Sequence, residues 1–140
     1  MVFGTVPNGT SNLVAVSASS GGTYSPVGAL QGWEYGGEAQ TTTEEFYNAF
    51  PSIITVGEPT NDGNYSGKYA EGDTAIALLI SAYKSKTIIY GKFAPGGVNG
   101  EILPMRVSRF RLTGGGVRQA ANYQFSVVQS SDPINAGTGL

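Results

Sequence analysis

Carboxylates, side-chain amides and arginines are the groups in this sequence whose spacing could support chemistry. Glu44 and Glu45 form an adjacent acidic pair. Two carboxylates can act as general acid and base, but neighbours on an extended chain point to opposite faces, so a solvated or intersubunit ionic role suits this pair better. Glu34 and Glu38 lie beside Trp33 and Tyr35. Those rings could stack on a sugar; equally, Trp33 could anchor a protein interface, where Trp, Tyr and Arg carry most of the energy. Asn61-Asp62-Gly63-Asn64 and Asp73 offer calcium-type oxygens but lack EF-hand spacing and a closing bidentate Glu, so a plain turn and a helix cap are expected. Gly114-Gly115-Gly116 has no following Lys-Ser/Thr and is no phosphate loop. Arg106, Arg109 and Arg111 alternate imperfectly along one strand and suit ionic contacts with a neighbour's acids ahead of nucleic acid. The candidate subunit-interface residues are therefore Trp33, Glu44, Glu45, Phe46, Tyr47, Arg106, Arg109 and Arg111. No catalytic, cofactor-binding or metal-binding residue is expected.

Two absences narrow the function further. The chain has neither histidine nor cysteine. Ser-His-Asp and Cys-His catalytic sets, thiolate metal sites and disulfides therefore cannot be built from it. Only 18 of 140 residues are charged, 13% against the usual ~25% of a soluble domain, while 40% are apolar and 21 are glycine. Such a chain is too apolar and aromatic for a disordered tail. It is long enough for one core, since a chain near 150 residues buries roughly 68–70% of its unfolded surface. One domain over 1–140 is expected, with a core from about 10 to 130 and flexible termini. The opening residues show no secretory signal, and the longest apolar run, Ala75 to Ile80, is far short of the ~20 residues of a membrane span. No membrane anchor is expected.

Charge is unevenly distributed along the sequence. Through Tyr83 there are eight acids and one base (net −7), and from Lys84 on there are seven bases and two acids (net +5). Intermixing in space would average this asymmetry out. Segregation would instead give two oppositely charged faces suited to head-to-tail association, because complementary potentials fix register.

The elements that must position these residues are mostly strands. Asn12 to Ser17 reads as a short strand bounded by turn-forming clusters. Tyr24 to Tyr35 reads as a bent or edge strand interrupted by Pro26 and ended by Gly36-Gly37. Ala39 to Glu45 is a Thr-rich loop or short strand, Ser52 to Glu58 a strand, and Asn61 to Asn64 a turn. Asp73 then caps a helix whose apolar stripe is Ile76, Leu79, Ile80 and Tyr83. Thr87 to Phe93 and Glu101 to Leu112 are strands separated by Ala94-Pro95-Gly96-Gly97. The last strand alternates most cleanly, with Ala121, Tyr123, Phe125 and Val127 on one face. The tail from Asp132 is expected to be loosely ordered. The sum is a mainly β fold, a rolled β-barrel or β-sandwich of about seven strands with one flanking α-helix.

This order of elements resembles the major tail tube proteins of long, non-contractile-tailed bacteriophages. The resemblance covers roughly residues 10 to 130 and rests on six matched segments. These are the Gly/Ser/Thr-rich stretch from Tyr24-Ser25-Pro26-Val27-Gly28-Ala29-Leu30 through Thr41-Thr42-Thr43, the strand Ser52 to Glu58, and the small alanine-rich helix of Gly72-Asp73-Thr74-Ala75-Ile76-Ala77-Leu78-Leu79. The strand Lys86 to Phe93 with its Gly/Pro turn and the antiparallel strands Met105 to Leu112 and Asn122 to Val128 complete the match. Glu44 to Phe50 departs from the family in being more acidic and aromatic. The resemblance implies a structural virion protein, not an enzyme and without cofactor, made in the host cytoplasm. Six-membered rings would stack into a hollow tube around a tape-measure protein, DNA would pass transiently through the lumen, and tail terminator and tail-tip or baseplate proteins would meet its ends. Acidic and neutral polar side chains are expected to line that lumen, since each neutralised phosphate adds affinity that resists sliding. A capsid decoration or other virion accessory protein, and a carbohydrate-binding β-sandwich, are the alternatives.

Overall fold

Alternation of apolar and polar residues dictates most of the secondary structure. The computed structural model describes residues 13–28, 30–44, 53–117 and 120–140, with Glu44 and Ile53 described by backbone alone. Eight strands and one helix run β1 (Leu13–Ser17), β2 (Ser25–Pro26), β3 (Leu30–Glu44), β4 (Ile53–Lys68), α1 (Thr74–Ser85), β5 (Ile89–Ala94), β6 (Gly100–Thr113), β7 (Asn122–Gln129) and β8 (Ile134–Ala136). All pairings are antiparallel, and the sheet order is β2-β1-β5-β6-β7-β4-β3, with β8 beside β6.

This sheet rolls on itself. Phe93 on β5 and Trp33 and Tyr35 on β3 are separated by three intervening strands in the hydrogen-bonded order, yet their rings stack at 5.8 and 4.8 Å between centroids. Tyr65 on β4 stacks on the same Phe93 at 5.4 Å. Parallel-displaced ring pairs add ~0.5–1.5 kcal/mol each beyond their buried area. The inward residues of β7 (Tyr123, Phe125, Val127), Leu103 and Met105 of β6, and Val14 and Val16 of β1 fill the rest of the interior. Two glycines make the closure possible. A Cβ on Gly63 would lie 3.0 Å from the Phe93 ring, and one on Gly91 would lie 2.6 Å from the Tyr65 hydroxyl.

Helix α1 covers the open side of the roll against β6 and β1. Asp73 is its N-cap: the carboxylate accepts from the Ala75 and Ile76 N–H groups at 2.9 and 3.2 Å. Lys86 ends it in the left-handed conformation (φ 57°), donating its N–H to the Ala82 carbonyl. The buried stripe is Ala75, Ile76, Leu79 and Ala82. Ile80 is half-buried and Tyr83 is 41% exposed, its ring meeting Phe110 edge-on at 5.9 Å. The expected stripe was thus placed one face too far toward solvent at its C-terminal end.

Three further expectations are corrected. Asn61 to Asn64 is not a turn: it lies inside β4, where pairing to β3 and β7 on both sides overrides the local turn preference. Gly36-Gly37 does not end a strand, and of the loop or short strand expected over Ala39 to Glu45 the described residues, through Glu44, are strand. β3 continues through Gly37, whose missing Cβ lets the Thr60 carbonyl approach. The tail beyond Asp132 is tied down. β8 pairs with Gly100 to Ile102 of β6, Ala136 is buried, and the Thr138 N–H donates to Asn99 Oδ1 at 3.1 Å. Pro133 lies just outside this strand, where its missing N–H costs the ladder nothing.

Two tests follow from this interior. Phe93→Ala empties the point on which three rings converge and should lower stability by ~3–5 kcal/mol in urea titrations; a loss below about 1 kcal/mol would show that the roll is held elsewhere. The second test is alkaline. Burial pushes the Tyr123 phenol up to about 12, with the Asp73 carboxylate adding to the effect, and raises Tyr65 further still. The folded state therefore favours both neutral phenols. Unfolded tyrosines ionise near pH 10, so stability is intact below that value and falls as pH rises from 10 to 12. Melting midpoints measured across this window should drop. Tyr65→Phe, which also removes a buried hydroxyl without a hydrogen-bond partner among the described residues, should flatten the drop.

Candidate functional site

Strands that alternate inward and outward leave one broad outer face on β6, β7, β4 and β3. The paired registers place the outward side chains in rows. Arg109, Ser126, Asn64 and Glu34 form one row, and Arg111, Gln124, Ser66 and Gly32 a second. Arg106, Val128, Asp62 and Gly36 form a third. Each row runs from a base on β6 through uncharged side chains on β7; Asp62 on β4 and Glu34 on β3 place an acid in two of the three rows, while exposed Lys68 is the one base on β4. The sequence's charge asymmetry is thus a real gradient across a single sheet face.

A bulge gives β6 this character. Its register to β7 shifts between Val107 and Arg109, so Ser108 is extra. Val107 pairs with inward Val127 and Phe110 with inward Phe125, while Arg109 and Arg111 both turn outward. The imperfect alternation of the arginines in the sequence is this bulge. Hydrogen bonds fix the polar middle of the face: Ser126 Oγ donates to Asn64 Oδ1 at 2.8 Å, and Asn64 Nδ2 donates to Glu34 Oε2 at 3.4 Å. A shallow groove of about 410 Å³ crosses these rows between Glu34 and Arg109.

Charge and backbone are both left unsatisfied at the two margins. Among the described residues no ion pair forms between any base and any acid. The outer edge of β3 pairs with nothing described, and β6 from Arg106 to Thr113 is paired on its β7 side alone. Such edges are templates for another strand.

β3 and β4 also project beyond the body. β7 pairs only with Asp62 to Lys68 of β4, so Ile53 to Asn61 and their β3 partners extend as a two-stranded ribbon. Ile54 and Val56 on this ribbon are 65% and 64% exposed.

The candidate residues fall into three groups. Arg109 and Arg111 are exposed on the β6 margin with Arg106, whose Nη1 also donates to the Lys86 carbonyl at the C-terminus of α1, at 3.1 Å. Trp33 is half-buried, and its ring is engaged with Phe93, a core contribution that the sequence reading had not assigned. Tyr35 and Tyr65 are engaged with that same ring, so these aromatics do not form an open platform for a sugar. Glu44 is placed only as the last residue of β3, and Glu45, Phe46 and Tyr47, like Arg118, lie outside the described residues. The sequence reading missed Ile54 and Val56 as exposed apolar groups. Their i, i+2 spacing was visible, but not the lack of a partner for this part of β4. No group of His, Cys, Asp or Glu among the described residues could hold a metal ion, and no helix among them is long and apolar enough to cross a membrane.

Comparison with solved structures places this fold. The chain is similar to a protein in the tail of an empty gene transfer agent particle of C6 symmetry, with TM-score 0.77 and 11% identity over 91% of this chain and 96% of that one. It is similar to a protein of the SPP1 tail tube, with TM-score 0.68 and 13% identity over 96% and 81% of the two chains. A protein of the anti-feeding prophage baseplate matches with TM-score 0.62 and 10% identity over the full length of both. No protein-family model and no curated protein sequence matches the chain. The shared property is the fold.

Since Arg109 and Arg111 make no ion pair with a described residue of their own subunit, reversing both to Glu should change monomer stability by no more than ~0.5 kcal/mol, as for ordinary surface positions. Thermal melts of dilute protein check this. A larger loss would make the arginines part of the fold instead of a free surface.

Proposed function

We propose that this chain is the structural subunit of a phage-type tail tube, joining copies of itself side by side into closed rings that stack into a hollow tube. The observation that carries the reading is the pair of unpaired, oppositely charged edges flanking one curved sheet. In sheet order, β6 runs antiparallel to β7, β7 to β4 and β4 to β3, so β6 and β3 run in opposite directions. Copies related by rotation about one axis keep their strand directions. The β3 of one copy can therefore lie against the β6 of the next as another antiparallel pair, and the sheet continues without a break. Such head-to-tail contacts use two different patches and close into rings when the rotation allows it.

Electrostatics favours the same match. Rows that end in Arg109 on one margin and Glu34 on the other bring base and acid together across each junction. The arginines are then drawn to the seam, and Asn122, Gln124 and Ser126 form an uncharged centre of the face. With that face lining the channel, phosphates meet few free cations and DNA slides instead of binding. Six copies per ring follow the C6 symmetry of the gene transfer agent tail that shares the fold. Structures of a baseplate and of a sheath/tube terminator also contain the fold, which supports end-capping partners of those kinds, with a tape-measure protein in the lumen before DNA. The subunit has no catalytic role in this reading, and its place is the virion.

Electron microscopy of concentrated protein should show rings or tubes. Glu34→Lys and Arg109→Glu should each suppress them at least tenfold in assembly concentration, and the combined exchange should restore them. Protein that stays monomeric at every concentration and salt level would overturn the reading. Failure of the double exchange to restore assembly would remove this edge pairing from it.

A further inference from the structure

The two ends of the open sheet face each other across a groove. β2 and β1 stand at one end of the strand order and β3 at the other. Between them lies a hollow of about 340 Å³, lined by Leu13, Val14, Val27, Leu30 and Trp33 among others, and by Gln31. No charged residue is among the described residues that line it. Here the backbone ladder is left open, since β2 covers only Ala15 and Val16 of β1, and the outer edge of β3 has no described partner. Gln31 is the extra residue of a bulge between Leu30 and Gly32, with no partner on β4, so the edge bends at the groove.

An apolar side chain without cover lies at the opposite margin. Leu112 on β6 pairs with Tyr123, which is buried in the core, yet Leu112 itself is 51% exposed. Phe110, two residues earlier on the same side, is sheltered by Phe125 and by Tyr83 of α1. Leu112 lies past that shelter.

The edge pairing proposed above brings these two features together. β6 is regular from Arg109 to Thr113, and β3 from Gly32 to Ala39. Setting Arg109 of one copy opposite Glu34 of the next therefore fixes the neighbouring pairs of the antiparallel ladder. Phe110 falls opposite Trp33, Arg111 opposite Gly32, and Leu112 opposite Gln31. On the outer side this ladder joins base to acid. On the inner side it sets ring beside ring, then carries Leu112 to the groove. Charge alone does not choose this register, because Arg111 can stand opposite Glu34 instead of Arg109. Leu112 would then meet Trp33, whose ring is already stacked on Phe93. Taking Leu112 and the apolar walls of the groove out of water together favours the first arrangement.

We infer that Leu112 of one copy seats in the apolar groove between β1 and β3 of the next, completing the seam that each subunit's own sheet leaves open. The contact is heterologous, with the knob on one margin and the socket on the other. It rests on the reading of the chain as a ring-forming subunit, and adds to the charge pairing an apolar contact that fixes its register.

The chain has no cysteine, so an introduced pair reports position directly. Gln31 and Leu112 are both exposed. Protein with Gln31→Cys mixed with protein carrying Leu112→Cys, assembled and then oxidised, should yield a covalent dimer of the two. Neither variant alone should do so. Thr43→Cys in place of Gln31→Cys, farther along the same strand, should yield none. Leu112→Thr keeps strand preference but removes apolar reach. It should raise the concentration needed for ring formation at least tenfold and leave the melting temperature of dilute monomer little changed. Leu112→Met should assemble as the unsubstituted protein does. Rings from Leu112→Thr at the ordinary concentration, or assembled cysteine variants that give no dimer, would overturn the socket while the ring reading stands. A clear drop in monomer melting temperature would instead make Leu112 part of the subunit's own core and likewise remove the socket. Absence of any assembly by the unsubstituted protein would overturn both.

Discussion

Stacking of three rings on Phe93 is the interaction on which the rest of this structure depends. A hydrogen-bonded barrel closes by joining its first strand to its last, and in doing so abolishes its edges. This sheet closes differently. Trp33, Tyr35 and Tyr65 meet Phe93 across the interior, so side chains complete the core while the backbone ladder stays open. The interior is sealed from water, yet β3 keeps a free edge. Gly63 and Gly91 leave room for the converging rings, since an added Cβ would press on Phe93 at the first and on the Tyr65 hydroxyl at the second.

Much of this was legible in the sequence, because local rules and the final packing agree there. The strict alternation of Tyr123, Phe125 and Val127 could describe only a strand with one buried face, and Asp73 before an alanine-rich apolar stripe could hardly be other than a helix cap. Where local preference and tertiary pairing disagree, the sequence reading failed. Asn61-Asp62-Gly63-Asn64 has turn-forming residues, but in the fold its glycine makes room for Phe93 and Val127 while Asn64 bridges Ser126 and Glu34. The glycine serves close approach and the amide serves an outer-face network, and neither use can be told from a turn without the strands on either side. Gly37 beside Thr60 is the same case.

The candidate surface was half legible. The segregation of acids and bases along the chain foreshadowed the gradient, and the three arginines of β6 were singled out correctly as a group on one strand. Their common outward direction was not readable, because it depends on the bulge at Ser108. Likewise, Ile54 and Val56 look like ordinary strand residues until the bulge at Gly57 and Glu58 assigns them a side. A single inserted residue reverses every side chain beyond it, and no periodicity within one strand reports where its partner has skipped. Trp33 illustrates the converse. Its type suggested an interface anchor, whereas its position opposite Phe93 gives it work within the subunit's own core.

The charges also explain how open edges can exist without indiscriminate aggregation. An unpaired strand edge accepts nearly any other edge, and like charges set opposite each other on neighbouring strands are destabilising. The side chains of β3 carry acids and no base, and those of β6 from Arg106 to Thr113 carry bases and no acid. Pairing β3 with β3, or β6 with β6, juxtaposes like charges and would yield a closed two-fold dimer. Only the unlike combination relieves repulsion on both edges, and it leaves the joined pair with one β3 edge and one β6 edge still open. Specificity here comes from penalising the wrong partners as much as from rewarding the right one. A composition so sparing in charge follows from the same logic. With few charged groups, none of them spent on ion pairs among the described residues, nearly every one can act on the choice of neighbour.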